Sequence, residues 1–196
     1  NTPANWDTGV PVSGDSVLMS GSTRRFNTNN IVGLVLSGIG YNGSVVFATA
    51  GNSISNTGGI YVTTGGHTNA LAWTLGNAQA FTNDAAGTFF ILSGAITNAG
   101  NKLTVGGAGS VWLNGVVLGG GGLQVLGPGT NRLGGANAFT NYGISVDGGV
   151  LQIANAAAIP NGAGRGDVTN NALIDLNANS QTINGLFGAG TIDNLT

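Results

Sequence analysis

The chain has 196 residues, a formal net charge of −2, 41% hydrophobic and only 6% charged residues, and 37 glycines. That balance is the reverse of the low-hydrophobicity, high-charge signature of disordered chains, and only four prolines, with no glycine at every third position, exclude collagen. One lysine, four arginines and seven aspartates without a glutamate or cysteine leave no basic surface for nucleic acid or anionic lipid, no disulfide and no thiolate metal site.

No segment approaches the roughly 20 apolar residues of a membrane helix, so membrane insertion is not expected of this chain. Helix-favouring residues are scarce, while Val, Ile, Thr, Asn and Gly abound, which predicts an all-β chain. Residues 1–28 read as an atypical N-terminal capping segment, loop-rich at Asn5-Trp6-Asp7, Val10-Pro11 and Gly14-Asp15, with a strand at 16–19. Trp6 either covers the end of a core, as terminal repeats of solenoids do, or packs locally.

Residues 29–196 are predicted to form the coils. Strands are expected at 31–37, 44–49, 60–64, 71–75 and 88–92, close to the usual length of about 5–6 residues. Six apolar–polar–apolar triplets follow: Leu103-Thr104-Val105, Val111-Trp112-Leu113, Leu123-Gln124-Val125, Ile144-Ser145-Val146, Leu151-Gln152-Ile153 and Ile174-Asp175-Leu176. Alternation with period two marks strands with one buried face and one wet face. It places Thr104, Gln124, Ser145, Gln152 and Asp175 outward and their aliphatic neighbours inward. Residues 154–159 suit a helical turn ended by Pro160, and Thr182-Ile183 and Thr191-Ile192 suit short strands near the end.

Glycine pairs and runs punctuate these strands, and successive triplets such as Leu103, Leu123 and Ile144 recur at roughly one supersecondary unit of about 20 residues. Asn-Gly steps at Asn42-Gly43, Asn114-Gly115, Asn161-Gly162 and Asn184-Gly185 leave hairpins open. The regular spacing favours a parallel β-helix, in which eight or nine coils spaced about 4.8 Å apart make a rod roughly 40 Å long.

Residues 131–194 resemble the autotransporter-associated β-strand repeat of bacterial passenger domains and giant surface proteins. The matching runs are Leu133-Gly134-Gly135-Ala136-Asn137-Ala138-Phe139-Thr140, then Ile144 to Ile153, the bend at Ala154 to Ile159, and Leu186-Phe187-Gly188-Ala189-Gly190-Thr191-Ile192. Ala4-Asn5-Trp6 and Gly9-Val10-Pro11 are similar to the leading segment of such proteins. Asn141-Tyr142 stands where the repeat has its first turn glycine, and Ser145 replaces its usual threonine. The resemblance implies a right-handed parallel β-helix outside the cell, with no catalytic residues to carry over.

Candidates for chemistry are few. Glycoside hydrolysis needs two carboxylates, and without glutamate the best placed are Asp147 and Asp175, each of which also reads as a solvated or turn-capping aspartate. Lys102, Arg132 and Arg165 are scattered and lack the acidic pairs a lyase would need. His67, the one histidine, reads as an exposed turn residue. The aspartates do not recur with a calcium-binding period, so no metal or cofactor is expected. Arg165-Gly166-Asp167 spells an integrin-type tripeptide but reads as loop. Trp73 shares the inward parity of Leu71 and Leu75. Trp112 lies outward, where an indole could stack on a sugar or a neighbouring subunit. Trp112, Asp147 and Asp175 are therefore the candidate surface-contact residues.

Together these readings predict a non-catalytic structural module, extracellular or at the cell surface, that self-associates end to end into a fibre or envelope layer. An adhesin or glycan-binding passenger is the alternative, and a polysaccharide lyase or hydrolase the third.

Overall fold

The computed structural model describes Trp6 and residues 9–195. Ala4, Asn5, Asp7 and Thr196 lie outside the described residues. Every strand pairing is parallel, and among the described residues there is no helix.

The chain climbs in coils of up to three short strands. The first holds β1 (Ser16–Met19), β2 (Phe26–Asn29) and β3 (Val35–Leu36). The second holds β4 (Gly38–Tyr41), β5 (Ala48–Gly51) and β6 (Ile54–Asn56), and the third β7 (Ile60–Val62), β8 (Thr68–Asn69) and β9 (Trp73–Leu75). Then come β10 (Gln79–Asn83), β11 (Phe89–Leu92) and β12 (Ile96–Thr97), followed by β13 (Leu103–Gly106), β14 (Ser110–Leu113) and β15 (Val117–Gly119). The sixth coil is β16 (Leu123–Val125), β17 (Thr130–Leu133) and β18 (Ala138–Phe139). The last three coils keep two strands each: β19 (Ile144–Val146) and β20 (Val150–Ile153), β21 (Val168–Asn170) and β22 (Leu173–Asp175), β23 (Leu186–Phe187) and β24 (Thr191–Asp193).

Stacked, the first strands of the coils form nine-stranded sheet A, the second strands nine-stranded sheet B, and the third strands six-stranded sheet C. The molecule is thus an all-β parallel solenoid. The expected capping segment contributes β1 and most of β2 to the first coil, and half-buried Trp6 packs against the core beneath it.

Register explains the core. Val17, Ile39, Ile60, Phe81, Val105, Val125 and Val146 stack in one column of sheet A. Leu92, Leu113, Leu133 and Ile153 stack in sheet B, and Ile54, Trp73, Ile96 and Val117 in sheet C. All these side chains are buried. Burying one aliphatic side chain is worth about 1.5–3 kcal/mol, and here the gain repeats with every coil.

The corners obey a different rule. Neighbouring coils are separated by one hydrogen-bond spacing, so a corner residue lies directly on its counterpart. A Cβ on Gly115 would collide with the Gly94 carbonyl oxygen, and one on Gly135 with that of Gly115. At the corners, as at Asn98 and Asn137, and within β17, at Asn131, buried asparagine caps the backbone inside. Asn131 Oδ1 accepts from the Val111 amide at 3.0 Å, Asn137 Oδ1 from Val117 at 2.7 Å, and Asn98 Oδ1 from Gly121 at 2.9 Å. An amide lacking these partners would stay buried and unpaired, at a cost of about 1–3 kcal/mol.

Several expectations are corrected. The strands are two to five residues long, shorter than expected, because each flat wall ends where the chain must turn. Residues 154–159 form a non-helical turn, and Thr182-Ile183 lies in a loop. The triplet ending at Leu176 keeps its parity, but β22 ends one residue earlier, at Asp175, and Leu176 is only half-buried. None of the Asn-Gly steps makes a hairpin.

Leu123→Ala should destabilise the fold by about 2–5 kcal/mol. Gly115→Ala should cost about 1–3 kcal/mol or more through overpacking, whereas Gly38→Ala, whose Cβ would meet Ser16 Oγ at an ordinary 3.6 Å, should cost less than about 0.5 kcal/mol. Denaturant melts of the three variants check this, and equal effects at Gly115 and Gly38 would refute the corner argument.

Candidate functional site

Trp112 lies on the outer face of β14, as its parity predicts, and is half-buried. Phe89 of the preceding coil packs against the indole at a centroid distance of 4.3 Å, and the Arg132 guanidinium of the following coil sits 5.1 Å from the ring. The ring is therefore flanked along the rod on both sides, and its Nε1 is buried without a hydrogen-bond partner. This arrangement is an aromatic–cation stack within the wall, not a flat ring open to a sugar. Trp73 is core, at 1% exposure.

The two candidate carboxylates sit in different walls. Asp147 follows β19 of sheet A and is exposed. Its Oδ2 accepts from Ser145 Oγ at 2.6 Å and Gln124 Nε2 at 2.8 Å, and its Oδ1 from Asn171 Nδ2 at 2.9 Å. Lys102 Nζ donates to Gln124 Oε1, extending the network by one more coil. Hydrogen bonds from Ser145, Gln124 and Asn171 hold the Asp147 carboxyl below its ordinary 3.8, against a small opposing effect of burial.

Asp175 belongs to sheet B, in register with Gln152 and Asp193. It keeps the outward parity but is 2% exposed, which corrects the expectation of a solvent-facing residue. The C-terminal residues fold over it: Oδ1 accepts from the Asn177 and Leu195 amides and Oδ2 from Gln152 Nε2. Both carboxylates are thus occupied as acceptors in lateral ladders. They neither share a cleft nor face a common substrate position. Among the described residues, no three acidic or imidazole side chains gather to hold a metal ion.

His67 is a second correction. It is fully buried, stacked on Tyr41 at 5.0 Å and packed near Phe47 at 5.6 Å. Its Nδ1 accepts from the Phe47 amide at 3.0 Å, which assigns the neutral ring with the proton on Nε2. Burial pushes its pKa below the ordinary 6.5, with the Thr64 backbone opposing. Tyr41 fills the same space, its phenol raised by burial although Thr49 and Asn69 hydrogen-bond to it. Sequence parity could not place His67, because it stands at a corner just before β8.

Arg165 does not present its tripeptide. Its guanidinium turns inward and donates to the carbonyls of Ala138 and Phe139 in β18. It acts as the end cap of sheet C, a role shared by the Ala157 carbonyl, which accepts from the Asn137 amide. The opposite end of sheet C is capped as well. The Gly14 amide donates to Val35, Ser13 Oγ accepts from Val35, and the Ser37 amide donates to Asp15.

Sheets A and B differ. Among the described residues β1 and β2 have no strand partner on their outer side, and neither do β23 and β24. At the N-terminal end a hollow of about 830 Å³ opens between walls lined by Trp6, Val17, Met19, Leu34, Leu36 and Phe47. At the other end a smaller hollow of about 140 Å³ is lined by Ile174, Leu176, Ile183, Leu186 and Ile192. Exposed Phe26 at one end and Leu186, Phe187 and Ile192 at the other carry apolar surface at these free edges. The two open ends are the candidate site. Sequence reading anticipated open ends in general but missed the capping of sheet C, in which Arg165, read as loop, takes part through its guanidinium.

Comparison with known proteins finds no family model, no curated protein and no solved structure that matches the chain.

A depressed folded-state pKa at His67 means that the unfolded chain binds the proton first. Its contribution to stability is complete above about pH 6.5 and is lost as the pH falls below that value. The lowered Asp147 carboxyl acts in a separate window, losing its contribution below about pH 3.8. Melting temperature should therefore fall between pH 7 and 5 in the wild type, and His67→Phe should flatten that slope while Asp147→Asn leaves it in place. An unchanged slope in His67→Phe would remove His67 from this account.

Proposed function

We propose that this chain is a non-catalytic structural module, a rod that builds an extracellular or cell-surface fibre or layer by stacking end to end. The observation that carries this reading is the pair of ends: among the described residues the terminal strands of sheets A and B have no strand partner on their outer edges, and each end holds a hollow, a mixed polar and apolar one at β1 and β2 and an apolar one at β23 and β24. Unpaired strand edges are templates for further strands unless they are covered or charged. The side walls serve other ends. Polar ladders such as Lys102–Gln124–Asp147–Asn171 satisfy one another from coil to coil, and Trp112 is held between Phe89 and Arg132.

A contact between the front of one rod and the back of the next is heterologous, so it need not close and propagates into a filament. The cysteine-free, nearly uncharged composition suits export, and the resemblance to autotransporter-associated repeats points the same way. No cofactor is needed for this role.

The purified chain should show concentration-dependent assembly by sedimentation and linear particles by negative-stain microscopy. It should release no reducing ends or unsaturated products from common polysaccharides. A strict monomer at high concentration, or turnover abolished by Asp147→Asn, would overturn the proposal.

A further inference from the structure

The outer wall of sheet B carries a cation that no anion answers among the described residues. Lys102 and Arg165 are engaged, the first donating to Gln124 and the second to the carbonyls of Ala138 and Phe139. Arg132 is held by stacking alone, its guanidinium 5.1 Å from the centre of the Trp112 ring. Among the described residues no carboxylate pairs with it and no acceptor takes its hydrogen bonds. The next outward residue of its column, Gln152, is neutral and donates onward to Asp175. Arg132 Nε is covered, whereas its two terminal nitrogens reach solvent.

The surroundings supply an apolar neighbour and a hydroxyl. Phe89, in the coil before Trp112, packs against the indole at 4.3 Å and is 46% exposed, so much of its ring is free. From Phe89 to Arg132 is two coil spacings, about 9–10 Å. Thr130 lies on the outward face of the same strand as Arg132 and is half-buried.

From this arrangement we infer that the outer wall of sheet B binds an acidic glycan containing uronic acid residues, with a sugar carboxylate on Arg132 and a neighbouring sugar ring on Phe89. The planar guanidinium matches a carboxylate, two N–H donors to two oxygens. Its stacking on Trp112 holds it in place, which lowers the cost of ordering it around a ligand. The indole is the support and not the sugar platform. That platform is the free part of Phe89, which suits the C–H face of a sugar ring.

An acidic peptide fits less well. It would bind an extended sheet by adding a strand to an edge, and at this height β14 and β17 are each paired on both sides. A single guanidinium on a chain of net charge −2 also suits a ligand with one charge per sugar better than a densely sulfated polymer. The site lies on a wall of the middle coils, so it goes beyond the end-to-end reading and stands or falls without it.

Isothermal titration calorimetry with tetragalacturonic acid tests the site. The wild type should bind it, and the fully methyl-esterified tetramer, which keeps the sugars and loses the charge, should bind at least about tenfold more weakly. Arg132→Gln should raise Kd at least about tenfold, and Arg132→Lys, which keeps the charge without the planar fork, should recover only part of that loss. Phe89→Ser should weaken binding about threefold or more. Lys102→Gln removes an equal charge from the other wall and should leave Kd within about twofold, because distant exposed charges are screened. Each variant should keep the wild-type circular dichroism, and tetraglutamate should bind more weakly than the uronide.

No binding of the acidic tetramer by the wild type, or unchanged affinity in Arg132→Gln, removes the site. Equal affinity for the methyl ester shows that the carboxylate is not what is read. An equal loss in Lys102→Gln shows a diffuse effect of charge, and either result overturns the role of Arg132. Tetraglutamate bound as tightly as the uronide makes the occupant an acidic peptide and overturns the glycan assignment.

Discussion

The constraint on which everything else depends is the spacing of one coil on the next. Parallel strands hydrogen-bond at about 4.7–4.9 Å, and a solenoid imposes that spacing on every position around its circumference, corners included. On the walls it stacks like on like, so Leu103, Leu123 and Ile144 bury one another while Thr104, Gln124 and Ser145 stay outside. At the corners there is no room for a Cβ above a carbonyl, and the stack Gly94–Gly115–Gly135 follows. Part of the unusual glycine content follows from this geometry, while other glycines, such as Gly87 and Gly100, face open space and supply positive φ at turns.

The same spacing governs the polar groups. An inward-turned corner strands backbone amides that water cannot reach, and asparagine satisfies them because its short side chain carries both an acceptor and a donor. Asn137 illustrates the complete case. It accepts from Val117 in the coil below and donates to Gly135 in its own coil and to Ala158 beyond. Asp147 and Asp175 are drawn into ladders of the same kind, so each carboxylate is already an acceptor for its neighbours. Most polar groups of the walls are satisfied from coil to coil, whereas among the described residues the terminal strands of sheets A and B have no strand partner on their outer edges. This is the physical ground for the proposal that the ends, and not the faces, carry the assembly.

How much of this was legible follows residue by residue. Strand parity located Leu123, Val125, Ile144 and Val146 inside and Trp112 outside, because alternation depends only on adjacent residues. It failed at Asp175, where parity was right and exposure wrong: the outward side chain is covered by Leu195, some 20 residues later in the chain. It failed at His67 because a corner residue has no parity, and only the position of Phe47 one coil below turns the imidazole inward. Arg165 read as loop, since nothing local reveals that its guanidinium reaches the carbonyls of β18 in the previous coil.

The sequence alone determined the class of architecture. Period-two triplets, glycine at the turns and a repeat near 20 residues are local or periodic properties, and one coil's pattern suffices to specify the next. The tertiary structure decided what breaks the repetition: which wall is sealed, which carboxylate is covered, and, among the described residues, which strands lack an outer partner. Those outcomes depend on contacts between coils and on the few residues that break the period. A sequence pattern, which records repetition, holds no information about how the repetition is terminated.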